Sequence, residues 1–218
     1  MSLWIKICAN TSLEDARFAA DAGADALGFV FAPSPRQLTV GQAAAIVPHL
    51  PRAIEKIGVF VDSLFEEIVA TVEATGLTGV QLHFPPPADL SKRLRNRFGE
   101  QLRILRVIHF GSAETHDATA LNDSDADGIL VDSRTATAAG GTGVTFDWDA
   151  AHKSIFNGSS KHKLIAAGGL APHNVAEAIL KLHPWGVDVV SGVEAAPGRK
   201  DPAKVRAFIA SARAASGG

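Results

Sequence analysis

Short apolar segments alternate with amphipathic ones along the whole chain, and this alternation restricts the fold more than any other feature. Eight segments are rich in Val, Ile, Leu and Phe and have the length of buried parallel strands. We predict strands at Trp4–Cys8, Ala26–Phe31, Lys56–Val61, Gly79–His83, Arg103–His109, Gly128–Asp132, Leu164–Ala167 and Val187–Ser191. A helical pattern follows each strand, so the chain reads as eight βα units.

Helical periodicity fills the segments between these strands. The predicted helices are Leu13–Ala22, Val40–Leu50, Leu64–Thr75, Ala88–Phe98, Glu114–Leu121, Phe146–Ile155, Pro172–Leu182 and Pro202–Ala214. Thr11 or Ser12 precedes the first helix, and Asp201-Pro202 opens the last one, which are typical helix starts. The fifth helix has the weakest pattern because its segment is polar.

Eight units of roughly 27 residues predict an α/β fold of the (βα)8 TIM-barrel class, with residues 1–218 forming one domain. No shift in composition and no long linker divides the chain. An open doubly wound sheet also alternates strands with helices, but such sheets more often have about five or six strands. Polar residues gather at the predicted carboxyl ends of the strands, where barrel enzymes have their active sites.

Composition and charge exclude several classes of function. The net charge is −2 and no stripe of Lys or Arg is evident, so we expect no nucleic-acid partner. No apolar run reaches the ~20 residues that a membrane-spanning helix needs, so we expect no membrane partner. Cys8 is the single cysteine and the first residues do not resemble a signal peptide. A reducing, cytoplasmic location is therefore expected.

A thiol and a carboxyl group end two strands that lie far apart in the barrel order. Cys8 ends the first strand and Asp132 the sixth. A lone cysteine is more often inert, and an acid at a strand end often caps a loop. Facing each other across the mouth, however, a thiol base and a carboxylic acid would suit a proton-shifting isomerisation. Lys6 shares the face of Cys8 and either favours the thiolate or pairs with Asp188 or Glu194.

Two glycine-containing turns follow the last two strands and predict a phosphate site. Gly168-Gly169 leads into a helix, and Ser191-Gly192 follows the eighth strand. Glycines allow backbone N–H groups to approach a ligand, and a helix start favours an anion. The alternative is that these glycines only relieve crowding in turns. Arg36, in the loop after the second strand, is a candidate to bind a carboxylate, or else an exposed loop arginine.

The histidines do not show the spacing of a metal site. No two of them stand as His-x-x-x-His on one helix. His83 and His109 end neighbouring strands, and we expect hydrogen-bonding roles for them rather than metal binding. No dinucleotide-binding or P-loop motif is present, so the sequence predicts neither a metal nor a cofactor.

Taken together, these segments resemble the phosphoribosylanthranilate isomerase family. The matching segments occur in family order: Lys6-Ile7-Cys8, Gly28-Phe29-Val30-Phe31 with Ser34-Pro35-Arg36, Gly58-Val59-Phe60-Val61, Gln81-Leu82-His83, Val131-Asp132-Ser133, Gly140-Gly141-Thr142-Gly143 with Phe146-Asp147-Trp148, Ala167-Gly168-Gly169-Leu170, and Val187-Asp188-Val189 through Ser191-Gly192-Val193-Glu194 to Lys200-Asp201. Any one segment would be a weak signal, whereas the combination is highly specific.

The resemblance implies a barrel enzyme of tryptophan biosynthesis that works without a cofactor. Its reaction would be the Amadori rearrangement of N-(5′-phosphoribosyl)anthranilate to 1-(2-carboxyphenylamino)-1-deoxyribulose 5-phosphate. By the family's scheme Asp132 is the acid, Cys8 the base and Arg36 the anthranilate anchor, with Asp188 in support. Backbone N–H groups of the two glycine turns, Gly168, Gly169, Ser191 and Gly192, would bind the phosphate. Lys6 and His83 are supporting residues, and the enzyme would be a monomer or a homodimer.

Three positions depart from the family pattern. Ala9 stands where the family usually has glycine, and if this position needs a positive φ the alanine costs on the order of 1 kcal/mol. Phe84 replaces another glycine, and Val190 replaces a serine near the expected phosphate. The departures at Ala9 and Phe84 leave a non-enzymatic alternative, in which the barrel binds a phosphorylated ligand and serves as a sensor or partner. The related histidine-pathway isomerase and indole-glycerol-phosphate synthase are the enzymatic alternatives, although the former usually employs two aspartates.

Overall fold

The computed structural model describes residues 2–110, 119–132 and 147–217. Eight parallel strands form a closed barrel in chain order, and the first strand pairs with the eighth. The strands are β1 (Trp4–Ile7), β2 (Ala26–Val30), β3 (Glu55–Phe60), β4 (Gly79–Leu82), β5 (Arg103–His109), β6 (Gly128–Asp132), β7 (Lys163–Ala166) and β8 (Gly186–Val189). The predicted barrel is confirmed and the open-sheet alternative is wrong.

Seven α-helices lie within the described residues, on the outside of the barrel. They are α1 (Leu13–Asp21), α2 (Val40–Ile46), α3 (Phe65–Thr75), α4 (Leu90–Phe98), α5 (Trp148–Ser154), α6 (Val175–Leu182) and α7 (Pro202–Ala215). The predicted helix Glu114–Leu121 lies mostly outside the described residues, and its last two residues belong to a 3₁₀ turn, Ala120–Asn122. None of the described helices has the length and apolar character needed to span a membrane.

Helix starts agree with the sequence. The side chain of Ser12 accepts a hydrogen bond from the backbone N–H of Asp15 at the start of α1. Asp201 accepts from two backbone N–H groups at the start of α7, with Pro202 in the first helical position. These side chains satisfy N–H groups that the first helical turn leaves without partners.

Alternating side chains of β1 face two different environments. Ile5 and Ile7 point outward and pack in the large apolar core between barrel and helices. Trp4 points inward and belongs to a smaller apolar cluster. Lys6, on the same face as Trp4, is fully buried among polar partners from β4 and β8. The barrel interior is therefore apolar at one level and polar nearer the carboxyl ends of the strands.

A small hairpin that the sequence did not predict follows β8. A 3₁₀ turn at Ser191–Val193 leads into β9 (Glu194–Ala196), which pairs antiparallel with β10 (Arg199–Lys200). Asp201 and α7 follow directly. The hairpin brings Glu194 and Lys200 back to the mouth of the barrel beside the end of β1.

Candidate active site

Lys6 is the centre of the polar interior. Its Nζ lies 2.8 Å from Asp188 Oδ1 and 2.8 Å from Gln81 Oε1, and the side chain is fully buried. Burial alone lowers the pKa of Lys6, but the charge of Asp188 and its hydrogen bond to the ammonium outweigh burial and raise that pKa. Lys6 therefore pairs with Asp188 and not with Glu194, and it carries a positive charge.

Cys8 lies directly after β1, at the carboxyl end of the strand. Its backbone N–H donates to Val189 O at 2.9 Å, and its side chain is buried. Burial raises the pKa of the Cys8 thiol, Lys6 opposes that rise, and Asp188 adds to it. The thiol is thus a protonated group at rest that has a cation beside it to stabilise the thiolate.

Asp132 ends β6 and is buried next to two imidazole rings. Its Oδ2 lies 3.9 Å from His83 Nε2, and the rings of His83 and His109 are 5.0 Å apart. His83 Nδ1 is in turn 3.4 Å from Gln81 Nε2. Since Gln81 also binds Lys6, polar groups continue across the interior from Asp188 through Lys6, Gln81 and His83 to Asp132.

The loops after β7 and β8 touch each other. Gly168 and Gly169 adopt φ values of 78° and 65°, a left-handed backbone that glycine accepts without strain. A Cβ on Gly192 would lie 2.0 Å from Leu170 O, so only glycine allows this approach. Asn174 holds the first loop by accepting from Ala171 N and donating to Gly169 O.

The backbone N–H groups of these two loops are available to a ligand. Those of Gly168, Gly169, Ser191 and Gly192 donate to no other group within the part of the chain that the structure describes, and all four residues are half-buried. Polar backbone groups shielded from water ordinarily have partners. The arrangement fits an anion that accepts from both loops near the start of α6.

Arg36 is bound to Glu194 by two parallel hydrogen bonds. Arg36 Nε lies 2.9 Å from Glu194 Oε1, and Arg36 Nη2 lies 2.7 Å from Glu194 Oε2. Burial raises the pKa of Glu194, but Arg36 and Lys200 outweigh it and lower that pKa. Lys200 Nζ also donates to Cys8 O at 2.5 Å. The remaining nitrogen of Arg36, Nη1, has no hydrogen-bond partner among the described residues.

The backbone at Ala9 has the left-handed conformation that the sequence analysis considered. Its φ is 61°, and the residue is buried. The alanine is therefore strained by on the order of 1 kcal/mol, yet Cys8 keeps its position at the end of β1. Phe84 is half-buried against the outer core, and Val190 is half-buried next to Ser191 in the loop after β8.

The structure brings most of the predicted site residues to one end of the barrel. Three partners were missed in the roles that they have: Gln81 and Lys200 were not singled out, and Glu194 was considered only for Lys6, whereas it binds Arg36. All three lie in the segments that carried the family resemblance, which is the signal that would have found them. The segment Gly140–Gly143 and Ser133 lie outside the described residues.

A closed (βα)8 barrel whose polar side chains gather at the carboxyl ends of its strands has the architecture of the barrel enzymes. The family model for N-(5′-phosphoribosyl)anthranilate (PRA) isomerase matches residues 5–211. The chain belongs to this family. The resemblance and the isomerase class that it implied are thereby confirmed.

Similar proteins agree along nearly the whole chain. The N-(5′-phosphoribosyl)anthranilate isomerase of Pelobacter propionicus is 45% identical over 206 residues, which cover 94% of this chain and 93% of that protein. The crystal structure of phosphoribosyl anthranilate isomerase from Thermotoga maritima is similar with a TM-score of 0.85 at 35% identity, covering 97% and 99% of the two chains. A second structure, 34% identical with a TM-score of 0.81 and the same coverage, is a phosphoribosyl anthranilate isomerase in complex with reduced 1-(o-carboxyphenylamino)-1-deoxyribulose 5-phosphate.

Proposed function

We propose that this chain catalyses the Amadori rearrangement of N-(5′-phosphoribosyl)anthranilate in tryptophan biosynthesis, with Asp132 as acid and Cys8 as base. One observation carries the assignment of roles. The two groups lie at the carboxyl ends of β6 and β1, and the polar side chains around Lys6 extend from one towards the other. Acid and base on different sides of one mouth suit a substrate that must be protonated on one atom and deprotonated on another.

The first half of the reaction opens the sugar ring. The protonated carboxyl of Asp132 gives its proton to the furanose ring oxygen, and the C1′–O bond breaks as the nitrogen lone pair forms a Schiff base. The second half moves the C2′ proton. The thiolate of Cys8 takes this proton, and the electron pair of the C2′–H bond forms the C1′–C2′ double bond while the C1′–N π pair returns to the nitrogen. The enolamine then relaxes to the ketone by moving a proton from O2′ to C1′. Transfer of the proton from the Cys8 thiol to the Asp132 carboxylate through solvent restores both groups, so no electron acceptor or net proton is required.

The charges around Cys8 support its role as a base. Burial raises the pKa of the Cys8 thiol. A higher pKa makes the thiolate a stronger base but lowers the fraction of the enzyme that carries it. The Lys6 ammonium and, more weakly, Lys200 act in the opposite direction and favour the thiolate. Asp188 keeps Lys6 charged despite complete burial. Lys6 and Asp188 are therefore positioning residues that act through Cys8.

The two ends of the substrate fit the two remaining groups of residues. The phosphate would accept hydrogen bonds from the backbone of Gly168, Gly169, Ser191 and Gly192. The anthranilate carboxylate would pair with Arg36, whose Nη1 points away from its bonds to Glu194. Glu194 holds the guanidinium in one orientation, so less freedom is lost when the carboxylate binds.

Loss of substrate fluorescence on mixing with the pure protein tests the proposal. Cys8→Ala and Asp132→Asn should each lower kcat by about 10²–10⁴-fold, because each removes one proton-transfer group. Thermal melting of both variants should stay close to that of the wild type. Retained turnover in both variants contradicts the roles, and tight substrate binding by a wild type without turnover would favour the sensor alternative.

We further propose that the chain acts as one domain in the cytoplasm, as a monomer or a homodimer, on a small phosphorylated substrate and without a nucleic-acid or membrane partner. Light scattering during gel filtration measures the mass in solution and decides between the two oligomeric states. A larger assembly would contradict both.

A further inference from the structure

Three metal-ligating side chains meet at the mouth of the barrel beside the polar interior. One ring nitrogen of His83, one ring nitrogen of His109 and one carboxylate oxygen of Asp132 all lie within 4.8 Å of one another. The residues come from the carboxyl ends of three successive strands, and His109 and Asp132 are paired in register. The barrel topology, and not local sequence spacing, brings them together.

The donor set and its size suit a transition-metal ion. Zn²⁺ binds imidazole nitrogen and carboxylate oxygen at about 2.0–2.2 Å, often with three protein ligands and a water molecule. The ligand atoms around such an ion are about 3.3 Å apart, as tetrahedral geometry requires. His83 Nε2 and Asp132 Oδ2 are already 3.9 Å apart, so rotations of the side chains through modest angles would complete the site.

We propose that His83, His109 and Asp132 bind a divalent ion of the zinc class reversibly, and that the ion inhibits the enzyme. The inhibition rests on the proposed function, because a carboxylate bound to a metal no longer holds the proton that Asp132 would donate. Binding itself depends only on the three side chains. The site therefore couples the activity to the free concentration of a transition metal.

Calorimetric titration with Zn²⁺ tests the binding. Wild type should bind one ion at this site, and His109→Gln should weaken that affinity at least about tenfold, because even outer partners of metal ligands contribute that much. His162→Gln is the matched control, since His162 precedes β7 at the opposite end of the barrel and its ring lies 3.1 Å from Leu121 O. Equal affinity in wild type and His109→Gln would overturn the proposal.

Cys8→Ala separates this site from binding by the thiol. The variant should keep the zinc affinity of the wild type, because Cys8 is no part of the proposed ligand set. Loss of affinity in Cys8→Ala would assign the ion to the thiolate and overturn the proposal. This measurement needs no turnover, so its failure is distinguishable from failure of the proposed isomerase activity.

The activity assay tests the inhibition. Zn²⁺ should reduce isomerase turnover by wild type, and a chelator should restore it. His109→Gln should need at least about tenfold more Zn²⁺ for half-inhibition of its own metal-free rate. Full activity of the wild type with zinc bound, as measured by calorimetry, would refute the inhibitory role.

Discussion

The thiol of Cys8 occupies the space in which a side chain at Gly28 would lie. A Cβ added to Gly28 would be 2.4 Å from Cys8 Sγ and 3.0 Å from Cys8 Cα. Non-bonded carbon and sulfur atoms do not approach so closely. Only glycine at this position of β2 therefore allows the Cys8 thiol to pack against the β2 backbone. The position of the proposed base is therefore set by a neighbour that has no functional group of its own.

Gly28→Ala should displace the thiol. We expect kcat to fall on the order of 10²-fold, as for misplaced reacting groups, and the free energy of unfolding to fall by about 1–3 kcal/mol. Gly41→Ala in α2 is the matched control, because its added methyl meets no atom within 4 Å. Turnover and chemical denaturation of both variants check this, and wild-type kcat in Gly28→Ala would contradict the steric argument.

Ala9→Gly should separate backbone strain from the loss of a methyl group. At a φ of 61° the substitution relieves on the order of 1 kcal/mol, which offsets the greater flexibility of glycine in the unfolded chain. Ala16→Gly, at a buried position inside α1, has no strain to relieve and should lose about 1 kcal/mol. Urea denaturation measures both. An Ala9→Gly variant that loses as much as Ala16→Gly would show that Ala9 is unstrained.

Lys6→Gln should move the pH dependence of kcat/KM. Removal of the ammonium leaves burial and Asp188, which raise the pKa of Cys8, opposed only by the weaker effect of Lys200. The rise of activity with pH, which follows the thiolate, should therefore shift to higher pH. Lys56→Gln removes a lysine whose Nζ donates to Pro51 O and should leave the profile in place. Melting curves at each pH confirm folding, and an unshifted profile for Lys6→Gln would rule out its electrostatic role.

Glu194→Gln should destabilise the protein and weaken substrate binding. The pKa of Glu194 is lowered in the folded state, so the ionised carboxylate stabilises the fold above its unfolded pKa of about 4.3 and loses this effect as the pH falls through the folded pKa. We expect a loss of about 1–3 kcal/mol at pH 7 that disappears in acid. KM should rise more than kcat falls, because Arg36 is no longer held in its orientation by the carboxylate. Arg36→Met should likewise raise KM, because it removes the guanidinium itself. A stability difference independent of pH would contradict the role of the charge.

The strands of the barrel could be predicted because each is a short, mostly apolar segment that is separated from the next by a helical pattern. Two predicted strand ends, His109 and Asp132, were correct. The ends predicted at Cys8, Phe31, Val61, His83 and Ala167 were one residue too long and that at Ser191 two residues too long, because the apolar or polar pattern continues past the last paired residue of the ladder. The hairpin of β9 and β10 was missed because its strands have three and two residues, too few to show an alternating pattern.

Which residues belong to the site was easier to predict than which of them contact each other. Alternation placed Lys6 inside the barrel but left its partner open between Asp188 and Glu194. That choice depends on the pairing of β1 with β8, where Lys6 and Asp188 are direct neighbours. Likewise, His83 and Asp132 belong to non-adjacent strands, and only the curvature of the closed sheet brings their side chains within 3.9 Å.

The bond between Lys6 and Asp188 joins residues 182 positions apart, on the first and the last strands of the barrel. During synthesis, Lys6 leaves the ribosome long before Asp188, the residue that neutralises its charge. A ribosome-bound intermediate that lacks β8 would have an open sheet, in which the charge of Lys6 on the edge strand β1 is not neutralised by Asp188. Contacts between residues so distant in sequence form slowly, so the pairing of β1 with β8 is a late event in folding. The active site is complete only after this pairing has closed the barrel.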